Sequence, residues 1–477
     1  MATDTESKWK AITAQTREKL QRLSLWRKVL LALVLAAMVM IAGVMLVAYL
    51  VQKRLVREVI QISKAGEPLV YADLRPEQKQ AGPGEDAGIY YSDAVKRIRP
   101  GDLDDLMKLN VFYRLNMLSL PADKFPVELR DKTGESLKKA EPVLELLDKA
   151  AQFPLSQFDL AVLQGRQISK SRLDSIQGAV FLSSLRTLDL IRRGNTEKAT
   201  ESIATTQKLM RVFDVFPTIP VQTRKMICVR LVCSDIQLLA AYGSTASAAQ
   251  PTGYLATGGR PTGKQLERLQ SLLDELFGSD ALERTILAER VYQVEVGRNL
   301  FPKRVASRYL MADVPPLSER LVEPKFTWHR MRICAGAARF LQDMAWYLKV
   351  SRLPWPEPLN EIKDANLTPS RGASGLISTV APLARLTAET LVITECMKTA
   401  VAIERYRLQE KALPDKLEDI CPRYIKSIPL DPFTGRSVLY THDDKSYRVY
   451  SAASVRIDDV NSIMPVSPHG DSAEKTP

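Results

Sequence analysis

The sequence predicts a mainly α protein in three parts: a single N-terminal transmembrane helix, a large helical extracytoplasmic domain and a small α+β C-terminal module. Three observations predict it. Residues 29–51, VLLALVLAAMVMIAGVMLVAYLV, carry no charge at all. From about residue 103 to 407, apolar residues recur at spacings of three and four, with few alternating β-branched runs. Beyond that the texture changes to turn signals at Asp431 and Pro432 and at Thr434 and Gly435, set between short Tyr-rich runs.

The apolar run is long enough to span a bilayer. Its 23 residues make roughly 34 Å of helix, against a hydrocarbon core of about 30 Å. Six Leu, six Val and one Ile favour insertion by about 4–8 kcal/mol. A cleaved signal peptide has a shorter apolar run followed by a small-x-small site. Here 28 residues precede the run, and Tyr49, Leu50, Val51, Gln52 and Lys53 offer no such site, so an uncleaved anchor is expected. Lys8, Lys10, Arg17, Lys19, Arg22, Arg27 and Lys28 flank it on one side, and Lys53, Arg54, Arg57 and Lys64 on the other. This bias places the N-terminus in the cytoplasm and the bulk of the chain outside. Ala32 and Ala36 form one small-x-x-x-small pair, which would allow a homo-oligomer through the membrane helix.

Composition sets bounds on the remainder. Hydrophobic residues at 45% and charged residues at 26% of 477 are ordinary globular values, so the membrane expectation rests on the one segment. The net charge of +12 is spread as a mildly basic surface. There is no zinc-finger spacing, RNP-like run or basic heptad helix, and no nucleic-acid partner is expected. The five cysteines form no C-x-x-C and no paired framework. Cys228, Cys233, Cys334 and Cys396 lie in apolar helical runs, as small core residues do.

Taken in order, residues 1–28 form a basic cytoplasmic tail, whose stretch 8–28 reads as a helix able to lie on anionic headgroups, and 29–51 form the span. A helical region covers 52–241. It opens with a continuation of the membrane helix carrying Leu55, Val59 and Ile62 on one side, which Gly66 and Pro68 stop. Glu85 and Asp86 open a helix carrying Ile89, Tyr90, Ala94 and Val95. Residues 134–151 are helical, kinked or split at Pro142. Helices over 173–192 and 196–213 form a tetratricopeptide-like hairpin in which Gly194 ends the first and Asn195 caps the second. No second copy follows, so it is not a repeat array. Residues 242–264 are a Gly/Ser/Thr-rich flexible loop, and 265–380 continue the helical body. Within it, helices are expected over 265–277 and 281–297. A C-terminal module over 381–457 follows, and 458–477 form a disordered tail.

The module begins with a long helix over about 382–408. Strands are expected at 437–440 and 447–451 around the polar turn His442, Asp443, Asp444 and Lys445. The residues AIERYRLQEKALPDKLEDICPRYIKSIPLDPFTGRSVLY, with YRVYS after them, resemble the C-terminal half of the type II secretion major pseudopilin. Ile428, Pro429, Asp431, Pro432, Phe433, Gly435 and Tyr440 stand in that family's order. The resemblance covers about 60 residues and implies a pilin-like α+β module. Together with AGEPLVYADL and EDAGIYYSDA, the whole is similar to a group of uncharacterised membrane-anchored helical proteins from planctomycete-type bacteria, from which no activity carries over. That resemblance implies a bacterial inner-membrane location. The chain departs from pseudopilins in lacking the short leader and the Glu early in the apolar helix, so it is not expected to polymerise as a pilin. Major pseudopilins bind calcium after their final strands. Here Asp431, Asp458 and Asp459 are the candidate hard-oxygen ligands.

No motif for catalysis emerges, and neither a catalytic residue nor a cofactor is predicted. The three histidines are His329, His442 and His469, with no H-E-x-x-H, no G-x-S-x-G, no Walker A and no G-x-G-x-x-G. Ser136 and Lys139 satisfy S-x-x-K, but no S-D-N or K-T-G accompanies them. The pairs Asp104 with Asp105 and Asp443 with Asp444 are sequence neighbours that read as caps or solvated charges. The expected function is a non-enzymatic scaffold or adaptor of the envelope, touching membrane lipid and an envelope protein partner, with a link to secretion or pilus-like machinery. The alternative is an envelope hydrolase acting on peptide or glycan.

Overall fold

The computed structural model describes residues 24–74, 85–99, 102–119, 125–155, 170–244, 260–296, 328–366, 377–443 and 446–452. The chain divides into two compact units. The first comprises residues 1–67 with 297–342, and the second 68–296 with 343–477. The basic stretch 8–23, the loop 245–259 and the tail from 453 lie outside the described residues.

The first unit is built on α1 (Leu25–Lys64), one uninterrupted helix of 40 residues. It has no internal Pro, and the apolar run passes directly into the charged stretch that follows. Its apolar side chains from Leu25 to Leu50 are exposed apart from the half-covered Ala37, Val44 and Ala48, whereas Leu55, Val59 and Ile62 are buried. Those three recur at spacings of four and three, so they form one face of the helix. The helix ends where Gly66 takes φ +68°, a conformation that costs glycine little. The first part of α12 (Trp328–Ser351), up to Gln342, belongs to this unit. Gln342 joins it to α1: Arg54 Nη2 donates to Gln342 Oε1 at 2.7 Å, and Gln342 Nε2 donates to Glu58 Oε1 at 2.7 Å.

The second unit is a helical body. Its elements in chain order are α2 (Tyr71–Leu74), α3 (Ala87–Arg97), α4 (Asp102–Ser119), α5 (Val127–Lys139), α6 (Glu141–Ala150), α7 (Lys170–Arg192), α8 (Thr196–Leu209), α9 (Ile219–Ser244), α10 (Gly263–Leu276) and α11 (Ala281–Val296). After the end of α12 come α13 (Glu357–Asn366), α14 (Ile377–Glu410), β1 (Leu439–His442) and β2 (Tyr447–Tyr450). α7 is buried nearly all round, between α4, α8 and α9, and α9 in turn packs on α14.

Local chemistry explains the boundaries. Asp86 caps α3, its side chain accepting from the Gly88 amide at 2.8 Å. The face α3 buries holds Ala87, Tyr91, Ala94 and Val95, while Ile89 is exposed. Pro142 sits in the first turn of α6 and the helix breaks at Ala140, so the stretch around it is two helices. Between α7 and α8, Gly194 takes φ +73° and the Asn195 side chain accepts from the Lys198 amide at 3.1 Å. α7 and α8 meet along a seam of hydroxyls. Ser183 Oγ lies 2.7 Å from Thr206 Oγ1, and Thr187 donates to Ser202 Oγ at 2.8 Å. Thr387, Thr390, Thr394 and Thr399 of α14 are buried, and each satisfies its hydroxyl on the carbonyl four residues back.

The C-terminal end is smaller than a sheet domain. A two-stranded antiparallel hairpin pairs Leu439 with Tyr450 and His442 with Tyr447. β1 begins two residues later than the sequence alone predicts. The reason is that 436–438 are already engaged: Asp431 N donates to Arg436 O at 2.7 Å, and Val438 N donates to Pro429 O at 3.1 Å. The hairpin rests on α14 through a core of Ala402, Ile403, Leu417, Ile420, Tyr424 and Val438.

Candidate functional site

Among the described residues, the most extensive exposed apolar surface is α1 itself. Trp26, Val29, Leu30, Leu33, Met38, Val39, Met40, Met45, Leu46, Tyr49 and Leu50 all stand open around every side of the helix. A helix apolar all round is stable only where something apolar covers it, and one this long and uncharged meets the requirement for crossing a membrane. Ala32 and Ala36 are exposed on it as well.

Inside the second unit, the notable chemistry is a set of buried charges between helices. Arg114 of α4 donates through Nη2 to the Asp235 carboxylate of α9 and lies 2.6 Å from Ser184 Oγ of α7. Ser184 Oγ is 2.8 Å from the second Asp235 oxygen and 3.3 Å from Asn110 Oδ1, and Asn110 Nδ2 donates to Phe181 O at 2.9 Å. Burial pushes the Asp235 carboxyl up, against the pull of Arg114 and Ser184. One turn along, Tyr113 OH sits 3.3 Å from Asp189 and accepts from Arg192 Nε at 2.6 Å. Burial, with the Asp189 charge beside it, raises the Tyr113 phenol well above its ordinary value. Lys225 of α9 places Nζ 2.7 Å from both Asp214 oxygens, and burial lowers its ammonium. The Arg114 and Tyr113 groups tie α4, α7 and α9 together. Each buried charge meets an opposite charge, as structural ion pairs do.

A pocket lined by Ala240, Arg260, Pro261, Leu266, Glu404, Arg407 and Leu408 has a cavity volume of about 10 Å³, which holds one water.

The residues singled out in the sequence fall in separate places. Asp431 is fully buried in the turn before β1. Its Oδ1 accepts from Phe433 N at 2.9 Å, and its Oδ2 accepts from Ser451 Oγ at 2.7 Å and Ala452 N at 3.1 Å. Asp458, Asp459, Asp444 and His469 lie outside the described residues. Among the described residues, no group of three His, Cys, Asp or Glu side chains is placed to hold a metal. Asp443 closes the hairpin turn by accepting from Ser446 N at 2.6 Å. Asp104 and Asp105 stand exposed in the first turn of α4. Ser136 and Lys139 end α5. His442 is exposed on β1, stacked on Tyr440 at 5.3 Å between ring centroids. His329 lies in the first turn of α12. All five cysteines are free thiols, with Cys228, Cys233 and Cys334 buried.

Two features were not read from the sequence. Thr262 and Gln265 form a capping box that starts α10 two residues before the expected position, and the T-x-x-Q spacing is its signature. The Arg114 network had no local signal, since its members lie on three helices.

Comparison of the chain with protein-family models, with curated proteins and with solved structures returned no match.

Proposed function

We propose that this protein is a membrane-anchored, non-enzymatic adaptor of a bacterial envelope, with α1 as a permanent single-pass anchor and the helical body presented on the far side. One observation carries the reading. α1 changes along its length from a helix exposed and apolar on every side to one that buries Leu55, Val59 and Ile62 and exposes charge. The first part has the character of a lipid-facing segment, and the second that of an ordinary amphipathic helix. Their continuity in one helix of 40 residues favours retention of the span. The interlocked charges between α4, α7 and α9 support a fixed body rather than a site that turns over substrate. The pseudopilin-like order of residues from Ile428 to Tyr440 supports docking to secretion-type machinery, by analogy of sequence alone.

Proximity labelling tests this directly, with the labelling enzyme fused after the C-terminal hairpin in the native cell. The reading predicts enrichment of extracytoplasmic envelope proteins. Recovery of cytoplasmic proteins alone contradicts both the orientation and the adaptor role.

A further inference from the structure

The stretch of α1 that leaves the apolar run carries Lys53, Arg54, Arg57, Glu58 and Lys64. At about 100° per residue, Lys53, Arg57 and Lys64 fall within about 40° of one another, and Leu55, Val59 and Ile62 centre roughly opposite. The basic side is therefore turned away from the buried side, and Lys53 and Arg57 are both exposed. The intervening charges are already engaged. Arg54 donates to Gln342, and Gln342 donates to Glu58, each at 2.7 Å. Among the described residues, Lys53 and Arg57 have neither ion pair nor hydrogen-bond partner. Glu58, the one carboxylate on this stretch of α1, is thus held to the side, and two cations are left facing outward.

We propose that Lys53 and Arg57 form a collar that binds the phosphates of anionic phospholipid headgroups at the point where α1 leaves the bilayer. The proposal rests on the membrane reading above. Rise along the helix puts Lys53 about 3 Å and Arg57 about 9 Å beyond Val51. The headgroup layer is roughly 5–8 Å deep on each side, and long basic side chains bend back towards it. Lys64, about 20 Å out, lies beyond direct contact. Two cations i, i+4 on one helix face match a negatively charged sheet of phosphates rather than a single small anion, because no cavity encloses them and the lipid surface adjoins them. Gln342 has a part in this. It holds Arg54 and Glu58, which lie about 80–120° around the helix from the side carrying Lys53 and Arg57.

The test uses the full chain reconstituted in phosphatidylcholine vesicles doped with spin-labelled phosphatidylcholine or spin-labelled phosphatidylglycerol. The proposal predicts that phosphatidylglycerol is enriched about two- to fivefold in the motionally restricted layer, and that raised salt reduces the preference. K53Q/R57Q should remove a clear share of it, whereas the charge-keeping K53R/R57K should retain it. R27Q/K28Q, at the other end of the span, should remove a separate share, so that the two losses add. An unchanged preference in K53Q/R57Q, or a loss confined to R27Q/K28Q, overturns the collar while leaving the anchor intact. Absence of any restricted lipid around the wild-type chain overturns the anchor itself, and the collar with it.

Discussion

Arg114 and Asp235 meet inside the helical body although 121 residues separate them in the chain. Only Nη2 of the guanidinium is engaged, while Nε and Nη1 are buried without a hydrogen-bond partner among the described residues. The pair therefore bears a desolvation cost that its geometry offsets only in part. Removing one member strands the other charge, so R114M or D235L alone should each cost about 3–5 kcal/mol. R114M/D235L, which removes both, should recover most of that loss or exceed wild-type stability. Urea unfolding of the four proteins in a double-mutant cycle measures this, and additive losses would refute the coupling.

Asp431 works through its backbone neighbours rather than as a free carboxylate. Three donors, Phe433 N, Ser451 Oγ and Ala452 N, converge on its two oxygens. A carboxylate offers about four lone-pair sites, so a single position is left for anything else. D431A should destabilise the C-terminal hairpin by about 2–4 kcal/mol, the cost of leaving buried donors unmet. D431N, which keeps one acceptor oxygen, should cost less. Hydrogen exchange of the Val438 and Tyr450 amides reports it. With the lone pairs so occupied, adding calcium or a chelator should leave the melting temperature unchanged, and a rise with calcium would reopen ligation through the residues beyond 452.

The cysteines should be chemically quiet. Burial pushes both the Cys233 and the Cys396 thiols up to about 12. At pH 8 only about one thiol in ten thousand would be ionised, and the thiolate is the reactive form. Ellman's reagent at pH 8 should therefore label the partly exposed Cys421 and Cys396 before the buried Cys228 and Cys233. All of them should react once guanidinium unfolds the chain. Rapid native labelling of Cys233 would contradict its place between α9 and α14.

Alkali should weaken the fold in a defined sense. Burial raises the Tyr91 and Tyr113 phenols well above their ordinary value, and that of Tyr440 to about 12. A phenol whose folded value is raised contributes stability that is fully present below the unfolded value near 10 and is lost as pH climbs through the folded one. The melting temperature should thus fall progressively above about pH 10, and the slope should flatten in Y91F. Lys225 acts in the opposite sense, because burial lowers its value. Absorbance at 295 nm should show that some of the 15 tyrosines ionise only on unfolding.

What could be read from the sequence was local. Gly66, Asn195 and Asp86 act within a few residues of themselves, so their turns and caps follow from side-chain chemistry alone. The break before Pro142 follows from its missing amide in the same way. Helix faces were less legible. Ile89 and Tyr91 are both apolar enough to be buried, and only the position of α7, whose Ile176 carbonyl meets the Tyr91 hydroxyl at 3.5 Å, selects Tyr91. The start of α14 at Ile377 was hidden because Pro382 reads as a helix start, yet the helix carries it internally. The buried ion pairs were not legible at all. Arg114 and Asp235 look like any solvated charges until α4 and α9 are brought together by the packing of α7 between them.

The central claim is that α1 remains in the membrane as an intact anchor. Alkaline carbonate extraction of native membranes, with peptide mass spectrometry of the pellet, tests it most directly. The account predicts that the protein stays in the carbonate-resistant pellet and retains the residues before Val29. Release into the carbonate supernatant, or a mature N-terminus lying beyond the apolar run, would contradict it.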